Sequence, residues 1–216
     1  MRQVGRIPLV LFASIPLTLA AQGADPTTRV AGTGTLPPSW HARTDGNAPL
    51  TNLKFVTMGD GFHATLGPAV VLWRDADTVS GSYHTVATFT QTRAPRHPEA
   101  YGLFIGGGDL SGPTQRYTYF LVRGDGKFII KRRSGDSTSF VIPQWTANAA
   151  VVAADTAGRA TNELGIAVQG DSVRFLVNGK NVYVARRSAV DVAGQVGYRV
   201  NHNLDVHLKN LEIHRF

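Results

Sequence analysis

The segment Leu164-Gly-Ile-Ala-Val-Gln-Gly-Asp-Ser-Val-Arg-Phe-Leu-Val-Asn-Gly-Lys-Asn-Val-Tyr-Val-Ala185 contains two turn signals between runs of alternating character. Leu164, Ile166 and Val168 are spaced by two, and so are Val173, Phe175 and Val177. A period of two places each set on one side of a half-buried strand. Asn178-Gly179 separates the second run from Lys180–Ala185. A two-residue type I′ turn needs positive φ at both central positions, which Asn-Gly adopts at little cost. Gly170-Asp171 joins the first two runs, so the segment predicts consecutive hairpins.

The same pattern extends upstream and downstream. Leu53, Phe55 and Thr57 alternate with Lys54 and Val56. Tyr83, Thr85, Ala87 and Phe89 open a β-branched and aromatic run. Tyr101, Leu103 and Ile105 share one face by parity, as do Tyr117, Tyr119, Leu121 and Arg123. Leu204, Val206 and Leu208 alternate with Asp205, His207 and Lys209. Asp125-Gly126 links Tyr117–Arg123 to Lys127–Arg133. Turn signals recur about every 8–12 residues. Ala147–Ala160 is either a short helix or an irregular loop. No fixed-period repeat occurs, which argues against a propeller or solenoid. About twelve to fourteen short strands in one domain predict an all-β, two-sheet antiparallel β-sandwich of jelly-roll type.

Composition agrees with one globular domain: 216 residues, 43% hydrophobic and 17% charged, with a formal net charge of +7. The absence of Cys excludes disulfides, thiol catalysis, Cys-ligated zinc and lipoprotein acylation. The only glutamates are Glu99, Glu163 and Glu212, which limits any mechanism built on a carboxylate cluster. Arg2 and Arg6 precede an uncharged apolar run, Ile7–Ala21. As a helix it reaches about 22 Å, short of the roughly 30 Å of a hydrocarbon core. Ala20, Ala21, Gly23 and Ala24 supply a small-residue exit. Residues 1–23 are therefore expected to be an export signal, with an uncleaved anchor as the alternative. Residues 24–38 are expected to be a flexible linker, and 39–216 the sandwich. The expected location is the periplasm or the extracellular space, with no stable membrane span once the signal is removed.

Four segments in order resemble the last third of a concanavalin A-like (laminin G-like) jelly roll. They are Glu163-Leu-Gly-Ile-Ala-Val, Gly170-Asp-Ser-Val-Arg-Phe-Leu-Val-Asn-Gly-Lys, Gly194-Gln-Val-Gly-Tyr-Arg-Val and Leu204-Asp-Val-His-Leu-Lys-Asn-Leu-Glu-Ile. Within that superfamily the chain looks most like bacterial exported domains of the 3-keto-disaccharide hydrolase type. The resemblance implies the sandwich fold over 39–216 and a role with carbohydrates or glycosides. Lectins, glycosidases and non-catalytic modules share this fold, so fold alone does not select among them. A structural Ca²⁺ fits the superfamily, with its ligands unassigned; no other cofactor is implied.

The residues give three readings. The Glu-x-Asp-x-x-Glu strand motif of related glucanases is missing, so a paired-glutamate glycosidase is not expected. The first reading is a lectin-like protein whose concave sheet binds sugar. Trp73, Arg74, Tyr101, Tyr117, Tyr119, Arg123, Lys131 and Asn201 would form that site, with rings on sugar C–H faces and Arg and Asn on hydroxyls. The second is an enzyme on 3-keto glycosides. Elimination and hydration there need one base, His84 or His202, and a cation, Arg199, to hold the enolate. The third is a structural or interaction domain. The Lys131-Arg132-Arg133 and Arg186-Arg187 runs are strand-end protection rather than a nucleic-acid face. The oligomeric state is not encoded in any of these features.

Overall fold

The computed structural model describes residues 26–216, so the expected export signal lies outside the described residues. Among them the chain forms fifteen strands. They are β1 (His41–Thr44), β2 (Leu53–Met58), β3 (Gly61–Leu66), β4 (Val70–Val79), β5 (Tyr83–Gln91), β6 (Ala100–Gly108), β7 (Arg116–Arg123) and β8 (Lys127–Ser134). Then follow β9 (Ser137–Phe140), β10 (Thr146–Ala147), β11 (Ala160–Gln169), β12 (Ser172–Val177), β13 (Lys180–Arg186), β14 (Gly194–Val200) and β15 (Asp205–Arg215). The only helical elements among the described residues are three 3₁₀ turns, Asp45–Asn47, Leu50–Asn52 and Arg187–Ala189. The 147–160 stretch is β10 followed by turns, which resolves the helix-or-loop alternative as loop.

The strands form two antiparallel sheets, as the alternation predicts. One has eight strands in the order β1-β4-β14-β6-β7-β8-β10, with β9 also on β8. The other has seven, in the order β13-β12-β11-β5-β15-β3-β2. Asn178 (φ 50°) and Gly179 (φ 73°) turn β12 into β13 in the left-handed conformation a type I′ hairpin needs. The inward faces pack into one core, in which Phe89 stacks on Tyr101 and meets Tyr198 edge-on, and Phe120 meets Phe128 and Phe175. Trp40 closes one margin, stacked on Tyr198 at 5.0 Å and edge-on to Phe62.

Part of the stretch expected to be a flexible linker lies against the sandwich. Gly32 and Gly34 donate backbone hydrogen bonds to the Thr51 and Leu53 carbonyls at 3.0 and 3.3 Å. Thr28 N–H donates to Asn203 Oδ1 at 2.6 Å. A run without apolar periodicity can still dock through its backbone, and glycine permits that close approach.

Candidate functional site on the outer face of the eight-stranded sheet

Tyr198 and Val200 of β14 point into the core, so Gly197 and Arg199 point out. Parity does the same for Val71 and Trp73 on β4, Phe104 on β6, and Tyr117, Tyr119 and Leu121 on β7. All but the two β14 residues belong to a second apolar cluster with Leu110 and Ile129, separate from the core. The register lines up one cross-strand row on this face: His41, Trp73, Gly197, Phe104, Tyr119, Lys131 and Phe140, from β1 to β9. Six strand spacings make it about 29 Å long. Gly197 is required within it. A Cβ there would lie 2.1 Å from the Leu72 carbonyl oxygen and 2.7 Å from the Phe104 ring. Gly197→Ala should therefore lower stability by about 2 kcal/mol, measured by urea denaturation, because neither neighbour can yield without disturbing the sheet.

The next row carries charge: Arg43, Val71 and Arg199 pair across β1, β4 and β14. Arg199 is 7% exposed, yet it bonds Asp45 with both arms, Nη1 to Oδ1 at 2.8 Å and Nη2 to Oδ2 at 2.6 Å. Burial alone would lower the Arg199 pKa; the hydrogen bonds and charge of the Asp45 carboxylate oppose it and keep the guanidinium charged. Burial would likewise raise the Asp45 pKa, but the bonds and charge of Arg199, with Arg133 and Arg43 beyond, hold it below the usual range. Burial pushes the Tyr119 hydroxyl up to about 12, against the Arg199 charge. The Lys131 ammonium is lowered by burial and then by Arg199.

Most of this face is covered by the chain itself: Trp73, Phe104, Tyr117, Tyr119 and Arg199 are all buried. Arg43 donates to the Leu110 and Gly112 carbonyls, holding the β6–β7 connection near Trp73 and Phe104. Trp145 packs onto the far end, under the Arg123 guanidinium at 4.3 Å. The row opens at its β8–β9 end. There Phe140 is 57% exposed, with the Lys131 ammonium 4.6 Å over its ring. Arg133 lies beside it on the same face, opposite Tyr117 and Thr138.

Six of the residues singled out from sequence thus share this face: Trp73, Tyr117, Tyr119, Arg123, Lys131 and Arg199. The others do not join them. Tyr101 points into the core with no exposed surface, stacked on Phe89 and hydrogen-bonded to Asn162, so it contacts no ligand. Arg74 points to the opposite side of β4 from Trp73, over the Trp40 ring and paired with Asp77 at 2.6 Å. Asn201 follows β14, where its backbone N–H donates to the Ala100 carbonyl. His202 lies in the next turn, 3.3 Å from Glu99 Oε1. His84 is on the other sheet, directly opposite His214 across β5 and β15, their rings 6.3 Å apart. Burial and the His214 charge lower the His84 pKa. His84 and Arg199 therefore look outward from opposite sides of the sandwich and cannot act on one substrate. Phe140, Phe104 and His41 are not among the site residues expected from sequence, and Arg133 is expected only as strand-end protection. The Gly135-Asp136 turn and the residue count across it were the available signal for Phe140. Among the described residues, no group of three or more His, Asp or Glu side chains is arranged to hold a metal ion.

No family model and no curated protein matches the sequence. Solved structures do match. A carbohydrate-binding module, CBM66 from Bacillus subtilis, is 13% identical over 82% of this chain and 96% of its own, with a TM-score of 0.57. A native glycosidic hydrolase is 11% identical over 84% and 95%, TM-score 0.54. A Bacillus licheniformis β-glucanase is 10% identical over 81% and 92%, also TM-score 0.54. At these identities the likeness is one of fold, and the fold is the concanavalin A-like two-sheet sandwich.

Proposed function

We propose that the protein is an exported carbohydrate-binding sandwich that receives a glycan on the outer face of its eight-stranded sheet. The observation that carries this reading is the open end of the cross-strand row, where Tyr119, Lys131 and Phe140 stand side by side with Arg133. A sugar ring has an apolar C–H face and a hydroxyl rim. Phe140 offers a partner to the first, and the Tyr119 hydroxyl, Lys131 and Arg133 to the second. The covered part of the face leaves a short patch at its β8–β9 end, suited to one or two sugar residues. The structural likeness to a carbohydrate-binding module and to glycosidases supports the reading at the level of fold. The catalytic alternative loses the pairing of His84 with Arg199, which are on opposite faces, and rests on His202, in the turn after β14.

Titration of glycans retained on an array tests this. Phe140→Ala should weaken binding about tenfold, the equivalent of roughly 1.4 kcal/mol, as expected for loss of one ring from a sugar contact. Lys131→Met should weaken it by a similar or smaller factor, and His84→Ala should leave it unchanged. Unaltered affinity in both Phe140→Ala and Lys131→Met would overturn the assignment. Absence of any retained glycan would favour a purely structural domain.

A further inference from the structure

Where the β5–β6 connection, the β7–β8 turn and the segment before β11 converge, a recess of about 260 Å³ opens. Gln91, the last residue of β5, lines it and is 1% exposed. Its Nε2 donates to the Gly158 carbonyl at 2.7 Å, which fixes the amide's orientation. Oε1 is left buried, and no described residue donates to it. A desolvated acceptor without a donor costs about 1–3 kcal/mol. Gly124 keeps the space beside that amide open. A Cβ on Gly124 would lie 3.2 Å from Nε2, 3.4 Å from Oε1 and 3.2 Å from the Ala154 Cβ.

The other walls divide by chemistry. Glu99 and Asp125 add carboxylate acceptors, and Ala94, Pro95, Pro98 and Ala154 add apolar surface. The acceptors call for a donor, but a cation is poorly served. Asp125 already pairs with Arg123 at 2.7 Å and Lys127 at 3.0 Å, Glu99 faces His202, and Arg96 lies on the wall. A neutral polyol satisfies both halves, with hydroxyls as donors and ring C–H groups on the prolines. The volume falls just below the roughly 300 Å³ at which drug-sized sites begin, so it suits one ring. We infer that this recess binds a single neutral sugar ring, one hydroxyl of which donates to Gln91 Oε1. The inference stands apart from the Phe140 patch and does not require it.

The purified chain would be titrated with glucose, galactose, mannose and arabinose, and with glucosamine as a cationic comparator, by ligand-observed NMR and thermal shift. Ala154→Phe fills the recess from a partly exposed wall position, and Gln91→Leu removes the acceptor. Should Gln91→Leu fail to fold, Ala154→Phe alone decides. The expected result is saturable binding of at least one neutral sugar, weakened tenfold or more by Ala154→Phe and unaffected by Phe140→Ala. Four outcomes overturn the inference: no neutral sugar binds, only glucosamine binds, binding survives Ala154→Phe, or Phe140→Ala abolishes it. The last would place the sugar on the outer face and leave the proposed function standing.

Discussion

Asn162→Leu should lower the unfolding free energy by about 3 kcal/mol, the largest loss expected from any single polar-to-apolar change in this core. Asn162 is fully buried on β11 and joins three parts of the chain. Its Oδ1 accepts from Val152 N–H at 2.8 Å and from Asn178 Nδ2 at 3.0 Å. Its Nδ2 donates to the Val152 carbonyl at 3.1 Å and the Tyr101 hydroxyl at 3.3 Å. Leucine matches the branched skeleton, is bulkier, and makes none of the bonds. Val152 is exposed, so water recovers part of its loss; Asn178 keeps its bond to the Ala150 carbonyl. The Tyr101 hydroxyl, buried beneath the sheet, recovers nothing. Urea denaturation measures the change, and a loss under 1 kcal/mol would show that Asn162 is not the joint described.

Asp45→Ala should cost about 2–3 kcal/mol, by the same measurement. Breaking a buried ion pair by removing one member costs several kcal/mol, because the partner stays buried and charged. Here the figure is discounted, because the Asp45 side chain is 43% exposed while that of Arg199 is 9% exposed. The pair also shapes the acid limb of stability. The folded Asp45 pKa lies below that of an ordinary aspartate, held there by Arg199. Between the folded and unfolded values the unfolded chain binds more protons, so stability rises with pH there. Its contribution is complete above about pH 4 and fades as pH falls through the folded value. Asp45→Asn should flatten this part of the profile, although Asp125 and Asp205, whose pKa values are also lowered, retain their share. An acid limb equally steep in Asp45→Asn would show that the Arg199 pair contributes no proton linkage.

Local features of this fold could be read directly. The Asn178-Gly179 turn, the common face of Tyr101, Leu103 and Ile105, and that of Tyr117, Tyr119 and Leu121 follow from period and turn chemistry, but not which face turns inward: Tyr101, expected at the sugar site, is in the core. Such features depend on neighbours in the chain. Sheet membership does not. Both His84 and Arg199 alternate outward from buried neighbours, so parity treats them alike. Only the pairing of β5 with β11 and β15, and of β14 with β4 and β6, separates them onto opposite sheets. Phe140 was obscured for a different reason: Ser137–Phe140 has no alternation of its own and gains a face only through Lys131 opposite. The Gln91 recess combines three connections distant in sequence, none with a motif.

The position of β14 and β15 has a bearing on biogenesis. β14 is wedged between β4 and β6 in one sheet, and β15 between β5 and β3 in the other. During synthesis from the N-terminus, each half-built sheet therefore has a gap at its middle until residues 194–215 emerge from the ribosome. Contacts so distant in sequence form slowly, and a nascent chain lacking them cannot close its core. For a protein that leaves the cytoplasm, as proposed above, this late completion provides the interval in which an unfolded polypeptide can be threaded through a translocation pore.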